Sequence, residues 1–425
     1  MMRDSTLVAI ALGMSVAVAL ADDLDGMFPG GILQPGIEYT KRPVNDQVAE
    51  LNRRIQEGKV RLQFEPVSGY LRSVLRTLNI PIESQLLVFS KTSIQRPLIN
   101  PQNPRSIYFN DSVSVGWVRG ATSMEMAAQD PKQGVIFYTL NQDRVDQPQF
   151  THRDDCLPCH DSFMTLGVPG MAVRSVFPAP DGMPNRQLDD YIPDHRSPME
   201  ERWGGWYVTG KHGSIRHMGN AVVTNVSQPM SMVTSATLNV ESLVGKFDPN
   251  GYLSPHSDIV ALMVFDHQVH MMNLFTRVGW EIRVASYAGR KLDARLLRDT
   301  SKELVDYLLF IDEPPLTAKI QGASGFGEKF AALGPRDSHG RSLRQFDLKH
   351  RLMRYPCSYM IYADAFDGLP AKAREAIYRR MWQILSGEVR GKRYARLSLA
   401  DRRATVEILR ETKKGLPVYF GSVLN

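Results

Sequence analysis

The apolar positions fall in short runs through the first half of the chain and in longer helical stripes through the second. Val48, Leu51 and Ile55 share one face of a 3.6-residue period and predict a helix over 45–56. Val60 to Phe64 alternates and predicts a strand. Leu71, Val74, Leu75 and Leu78 predict a helix opened by Ser68. Leu86 to Phe89 has strand length, and Arg105 to Val118 carries two apolar runs about Asn110-Asp111, the pattern of a hairpin. Gly134 to Leu140 predicts a further strand, and Trp203 to Asn220 reads as strand, turn, strand. Past Pro255 the period changes. Ile259, Leu262, Met263, Val269, Met272 and Leu274 place an amphipathic helix over 255–277. Ala294 to Phe310 predicts another, with Asp293 as N-cap and Pro314-Pro315 beyond its end. Residues 318–342 are Gly-rich and read as loop. From Asp347 the chain is mainly helical, with Ser398 and Asp401 spaced as a capping box. The expected fold class is α+β: a mixed N-terminal half of short strands and helices, then a mostly α-helical C-terminal half.

The first residues follow a different logic. Arg3 precedes an apolar run from Leu7 to Leu20, closed by Ala19-Leu20-Ala21 and then Asp22-Asp23. This is the layout of a secretory signal peptide over 1–21, cleaved after Ala21. The run is short for a membrane span, so an uncleaved anchor is the second reading. No later stretch is apolar enough to span a bilayer, and the expected location is periplasmic or secreted.

Chemistry concentrates at Cys156-Leu157-Pro158-Cys159-His160. Two cysteines three apart, with a histidine next, form the C-x-x-C-H attachment signature of c-type haem. On a helical turn, positions i, i+3 and i+4 share a face, so both thiols can reach the porphyrin vinyl groups while His160 reaches the iron. Asp154 and Asp155 are candidate N-caps, and Pro158 is tolerated in a first turn. With 3 Cys and 10 His in 425 residues, shuffled sequences give this pattern only about once in two thousand. The competing readings are a Cys156–Cys159 disulfide or redox dithiol, and half of a zinc site. Zinc would want four ligands, and only Cys357 remains. An export signal and a c-type haem site predict each other, because bacteria attach this haem outside the cytoplasmic membrane. The motif is the organising feature of a haem-attachment helix in the middle of the chain. It suggests regions 22–145 (mixed α/β), 146–290 (haem-binding, cytochrome c-like) and 291–425 (mainly helical), or one continuous domain.

Composition changes the picture only at the C-terminus. Apolar content of 43% and charged content of 23% are those of an ordinary globular protein. Of the formal charge of +6, the stretch from Lys372 to Lys414 holds 13 Lys or Arg against 5 Asp or Glu. Solvated helix faces account for such a run, and so does a docking surface for an acidic redox partner or an anionic membrane. Nucleic acid is not an expected partner of an exported chain.

The residue on the far side of the iron separates electron transfer from binding or catalysis. Met164 follows His160 by one turn and stays on the proximal side. The distal candidates are Met218, His217 beside it, and His267 with His270 on the long helix. In a strand only one of His217 and Met218 would face the haem. Arg174 and Arg216 are candidate partners for haem propionates, and Cys357 reads as a buried free thiol.

Cys156 to His160 resembles the haem site of c-type cytochromes. The stretches Tyr108-Phe-Asn-Asp-Ser-Val-Ser-Val-Gly-Trp117 and Leu166-Gly-Val-Pro-Gly170 resemble those of large, secreted, single-haem bacterial proteins without an assigned activity. The resemblance implies one covalent haem c held by Cys156, Cys159 and His160, and no substrate. The expected function is one-electron transfer with a redox partner protein. The alternatives are a haem enzyme or ligand sensor with an open distal site, and a haem-free binding protein with a Cys156–Cys159 disulfide.

Overall fold

Seven antiparallel strands form one sheet, and its two faces are covered by different parts of the chain. The structure, a computed structural model, describes residues 31–422, so the reading of 1–21 as a signal peptide lies outside the described residues. The strands are β1 (Leu86–Val88), β2 (Arg105–Phe109), β3 (Val113–Trp117), β4 (Ser123–Asp130), β5 (Gly134–Asn141), β6 (Phe150–His152) and β7 (Trp206–Tyr207). Their order is β6-β5-β4-β3-β2-β1-β7. The fold is α+β with a helical C-terminal half, as the apolar pattern predicts.

Register assigns each side chain to a face. Phe109, Ser114, Gly116, Glu125, Ala127, Gln129, Phe137 and Thr139 share one face through the pairs Phe109↔Ser114, Gly116↔Glu125, Ala127↔Phe137 and Glu125↔Thr139. Tyr108, Val115, Met126, Tyr138 and His152 share the other. Helix α1 (Gln47–Gln56) covers the second face. Its cap Asp46 accepts from Val48 N, Ala49 N and the Tyr138 hydroxyl (2.6 Å), and Asn52 clasps the Phe150 backbone. Helix α2 (Leu71–Thr77) follows. Between them the expected strand over 60–64 does not form: only Leu62 is fully buried there, and no strand lies alongside to satisfy its backbone.

After β6 comes the short helix α3 (Leu157–His160), and β7 follows further on. β7 has two residues, and 211–220 forms no strand, so the expected strand–turn–strand is not made. The first face packs on α4 (Ile259–Tyr287), through Phe109 on Phe265 (4.9 Å) and Gln129 to Thr276 (3.2 Å). Helix α4 runs ten residues beyond its expected end and is buried nearly all round rather than amphipathic. Its polar residues Asp266, His267, Gln268 and Asn273 bond to protein groups, so no water-facing stripe is needed. Helices α5 (Ala294–Leu308), α6 (Phe326–Ala332), α7 (Asp364–Asp367), α8 (Ala371–Leu385) and α9 (Leu399–Thr412) complete the chain. Helix α6 lies inside the segment expected to be loop. Asp293 and Ser398 cap α5 and α9 as expected. One apolar cluster extends from Ile37 to Phe420, across all three expected regions. Among the described residues no helix is long and apolar enough to cross a membrane.

Candidate functional site

The C-x-x-C-H segment is fixed to the sheet before it turns into a helix. Strand β6 pairs with β5, and then Arg153 N donates to Phe137 O (2.9 Å). A 3-10 turn over Asp154–Cys156 leads into α3, with Leu157 buried as its anchor. Neither Asp154 nor Asp155 caps this turn: Arg153 occupies the cap position, and the Asp155 carboxylate is held by its guanidinium (2.5 and 2.9 Å). The helix is a single turn that ends at His160, well before Gly167.

His160 is oriented by a two-way contact with Gly170. Gly170 N donates to His160 O (2.9 Å), and His160 Nδ1 lies 2.9 Å from Gly170 O. Since a carbonyl can only accept, Nδ1 carries the proton and Nε2 carries the lone pair. No described residue is bonded to Nε2. Burial lowers the pKa of the ring, opposed by the Gly170 contact, so the imidazole is neutral near pH 7. A neutral imidazole whose Nδ1–H is fixed by a carbonyl is the form that binds a metal through Nε2. The ring rests on Phe137 of β5 (centroids 4.7 Å). Gly170 is itself held in place. Asn273 of α4 accepts from Met171 N (3.2 Å) and donates to Met171 O (2.7 Å), and a Cβ on Gly170 would collide with its side chain.

Cys159 is exposed, Cys156 is half-buried, and both are free thiols. Burial and then the Asp155 carboxylate push the Cys156 thiol up to about 11. A redox dithiol needs a depressed pKa and an electropositive setting, so this environment disfavours that reading. The three donor atoms do not converge on a point as zinc ligands do. Among the described residues the His, Cys, Asp and Glu groups gather only at Asp337, His339 and Glu411, far along the chain and largely exposed. Spread donors on one face of a helical turn, with a free Nε2, fit a porphyrin that meets thiols at its edge and imidazole at its centre. Cys357 is buried and free, and burial pushes its thiol far up.

The distal candidates are all committed elsewhere. His217 is fully buried in irregular chain rather than a strand, and Met218 is buried too, so the alternation argument does not apply. His217 Nδ1 accepts from Gly219 N (3.0 Å), and Nε2 meets His212 Nε2 (3.2 Å). Met218 Sδ lies 3.6 Å from Ser175 Oγ. Both sit by β7, since Met218 N donates to Arg202 O and Asn220 N to Trp206 O. His160 stands on β5, five strand spacings away, roughly 24 Å across the sheet. His267 is fully buried, with Nδ1 2.7 Å from His195 Nδ1, Nε2 2.7 Å from Ser358 Oγ, and its ring stacked on Tyr307 and Phe310. His270 bonds Arg196 (3.1 Å). Arg174 pairs with Asp190, and Arg216 donates to Val233 O (3.0 Å), so neither guanidinium is directed at His160.

Sequence reasoning missed two features of this site. One is the positioning pair Gly170 and Asn273; a Gly after Pro169 was visible, but its partner 103 residues away was not. The other is a charged pair on the sheet, Arg105 of β2 and Glu125 of β4 (2.5 Å), within electrostatic reach of both Cys156 and His160. Two charged residues in otherwise apolar strands were the available signal. No protein-family model, curated protein or solved structure matches the chain.

Proposed function

We propose that this is an exported single-haem c-type protein that carries one electron to or from a partner. Cys156 and Cys159 form the two thioethers, and His160 Nε2 binds the iron. The observation that carries the reading is the fixed state of His160: Nδ1–H donates to Gly170 O, and Nε2 is left free beside two unbridged cysteines on one helical turn. Haem, when bound, supplies a one-electron couple. The chain's part is to hold it by its edge on a rigid sheet, with Asn273 and Gly170 keeping the imidazole from rotating.

A second reading, a haem enzyme or ligand sensor with an open distal face, is favoured by one specific observation. His217, Met218 and His267 each have their ligating atoms engaged by other buried groups. Export to the periplasm or beyond belongs to the same proposal, because covalent attachment requires it.

The experiment is haem staining of the denatured, exported protein, followed by spectra of the reduced and oxidised forms. Covalent haem is expected in the native chain and its complete loss with Cys156→Ala and Cys159→Ala together. An unmodified native chain overturns the proposal and leaves the disulfide-bearing binding protein. Low-spin iron inert to carbon monoxide supports electron transfer, and high-spin iron that binds carbon monoxide supports the second reading.

A further inference from the structure

The first sheet face carries polar groups that the protein leaves without partners, next to the haem-attachment helix. Arg105 Nε, Glu125 Oε1 and Ser114 Oγ are each buried and unbonded. Ser114 is only 6% exposed. Buried polar atoms are nearly always paired, so three on one patch call for an explanation. The floor beneath them is built from small residues. Gly116 lies between Arg105 and Glu125, and a Cβ there would collide with the Arg105 guanidinium, so the glycine lets this side chain lie flat on the sheet.

Register tells which way His160 faces this patch. Along β5, Val135, Phe137 and Thr139 point to the same face. Val135 N donates to Pro169 O (3.0 Å), Phe137 carries the His160 ring, and Thr139 pairs with Glu125. The His160 Nδ1 contact with Gly170, the neighbour of Pro169, lies at the Val135 end. The bonding directions of the two imidazole nitrogens diverge widely, so with Nδ1 held at the Val135 end Nε2 is turned away from it, toward the Thr139 end, where Glu125 and Arg105 stand. The electrostatic influence of Arg105 and Glu125 on His160 is consistent with that direction.

The geometry points to Arg105 as the binding residue for a haem propionate, its unpaired Nε–H donating to the carboxylate while Glu125 holds the other end of the guanidinium. This rests on the reading of Cys156, Cys159 and His160 as a haem site. It replaces Arg174 and Arg216 as the propionate partners. The ligand class is a carboxylate carried on a planar macrocycle, and the chemistry is a charge-assisted hydrogen bond, which needs no bond to form or break.

The test uses the exported full chain with three variants, Arg105→Leu, Arg105→Lys and Glu125→Gln. Two readouts are the propionate bending bands in the resonance Raman spectrum and the haem midpoint potential. Arg105→Leu is expected to shift the bands and lower the potential, because a cation that opposed the ferric charge is gone. Arg105→Lys is expected to keep most of the potential, and Glu125→Gln to raise it. Unchanged bands and potential in Arg105→Leu, with haem still covalently attached, overturn the assignment of Arg105 and leave the haem reading standing. If Arg105→Leu does not fold, the bands of Arg105→Lys decide, because Lys keeps the charge but loses the Nε–H geometry; bands identical to the native ones there overturn the assignment. Absence of haem from the native chain overturns the site reading itself, and this inference with it.

Discussion

Single residues in this molecule show how burial sets charge. His217 lies at 0% exposure between His212 and the Gly219 amide. Burial, and next the neighbouring His212, lower its pKa from 6.5 to about 3. The unfolded chain therefore takes up a proton at this position near pH 6.5, and the folded chain only near pH 3. The folded state binds fewer protons in that window, so stability is fully present above about pH 6.5 and is lost as pH falls toward 3. The limiting loss is about 5 kcal/mol. His217→Gln lacks this titration. Urea unfolding is expected to show it less stable than the native chain at pH 7, with the gap narrowing at pH 5 and pH 4. A gap that stays constant over that range would mean that His217 is not neutral in the fold. The sequence placed His217 among iron ligands because a His-Met pair 57 to 58 residues past His160 looks like ligation. It could not show that His212, five residues earlier, is the actual partner, because that contact is made by a turn.

Elements were legible where one period dominates and one face meets water. Helix α1 has its stripe, and α5 and α9 have their caps, where the pattern placed them. Strand β4 was not seen: Ser-Met-Glu-Met-Ala-Ala-Gln-Asp mixes good helix formers with no clean alternation, and pairing on both sides in the sheet overrides that propensity. Helix α4 was cut short for the opposite reason, since it is buried nearly all round and offers no continuous boundary between an apolar and a polar face to follow to its end. Its start was legible only as far as Pro255; the true cap is Asp258. That carboxylate accepts from Val260 N (2.8 Å) and Ala261 N (3.3 Å) with one oxygen. The other accepts from Ala323 N, Ser324 N and Ser324 Oγ (2.7, 2.7 and 2.9 Å). One side chain thus starts the central helix and ties down the segment leading to α6. Asp258→Ala orphans two buried and two half-buried amides and is expected to cost about 3 kcal/mol in chemical denaturation. Asp258→Asn keeps one accepting oxygen and should cost less. Equal stability of native and Ala forms would show that water replaces the cap at no cost.

At the scale of the whole molecule, the charge map decides how a partner would meet the haem edge. The basic stretch from Lys372 to Lys414 suggested an acidic partner, but many of its cations are used within the fold. Arg393 binds Asp306 and Asp312, Arg396 binds Glu313, Lys413 binds Asp367, and Arg374 and Arg410 bond to backbone carbonyls. Those contacts fasten α8 and α9 to the body and spend the charge locally. Along the chain next to exposed Cys159 the balance has the other sign: Asp154, Asp155 and Asp161 flank it with Arg153, and Arg153 is already bonded to Asp155. At an ionic strength of 0.15 M the screening length is about 8 Å, so a reagent at this edge senses chiefly the charges beside it. With haem attached, a small cationic oxidant is expected to react more slowly as salt is raised from that level, and an anionic oxidant faster. The reverse dependence, measured by stopped-flow absorbance of the reduced protein, would move the docking face to α8 and α9. The expected result instead calls for a partner with a basic patch, which would dock beside α3 if the proposed haem is attached there.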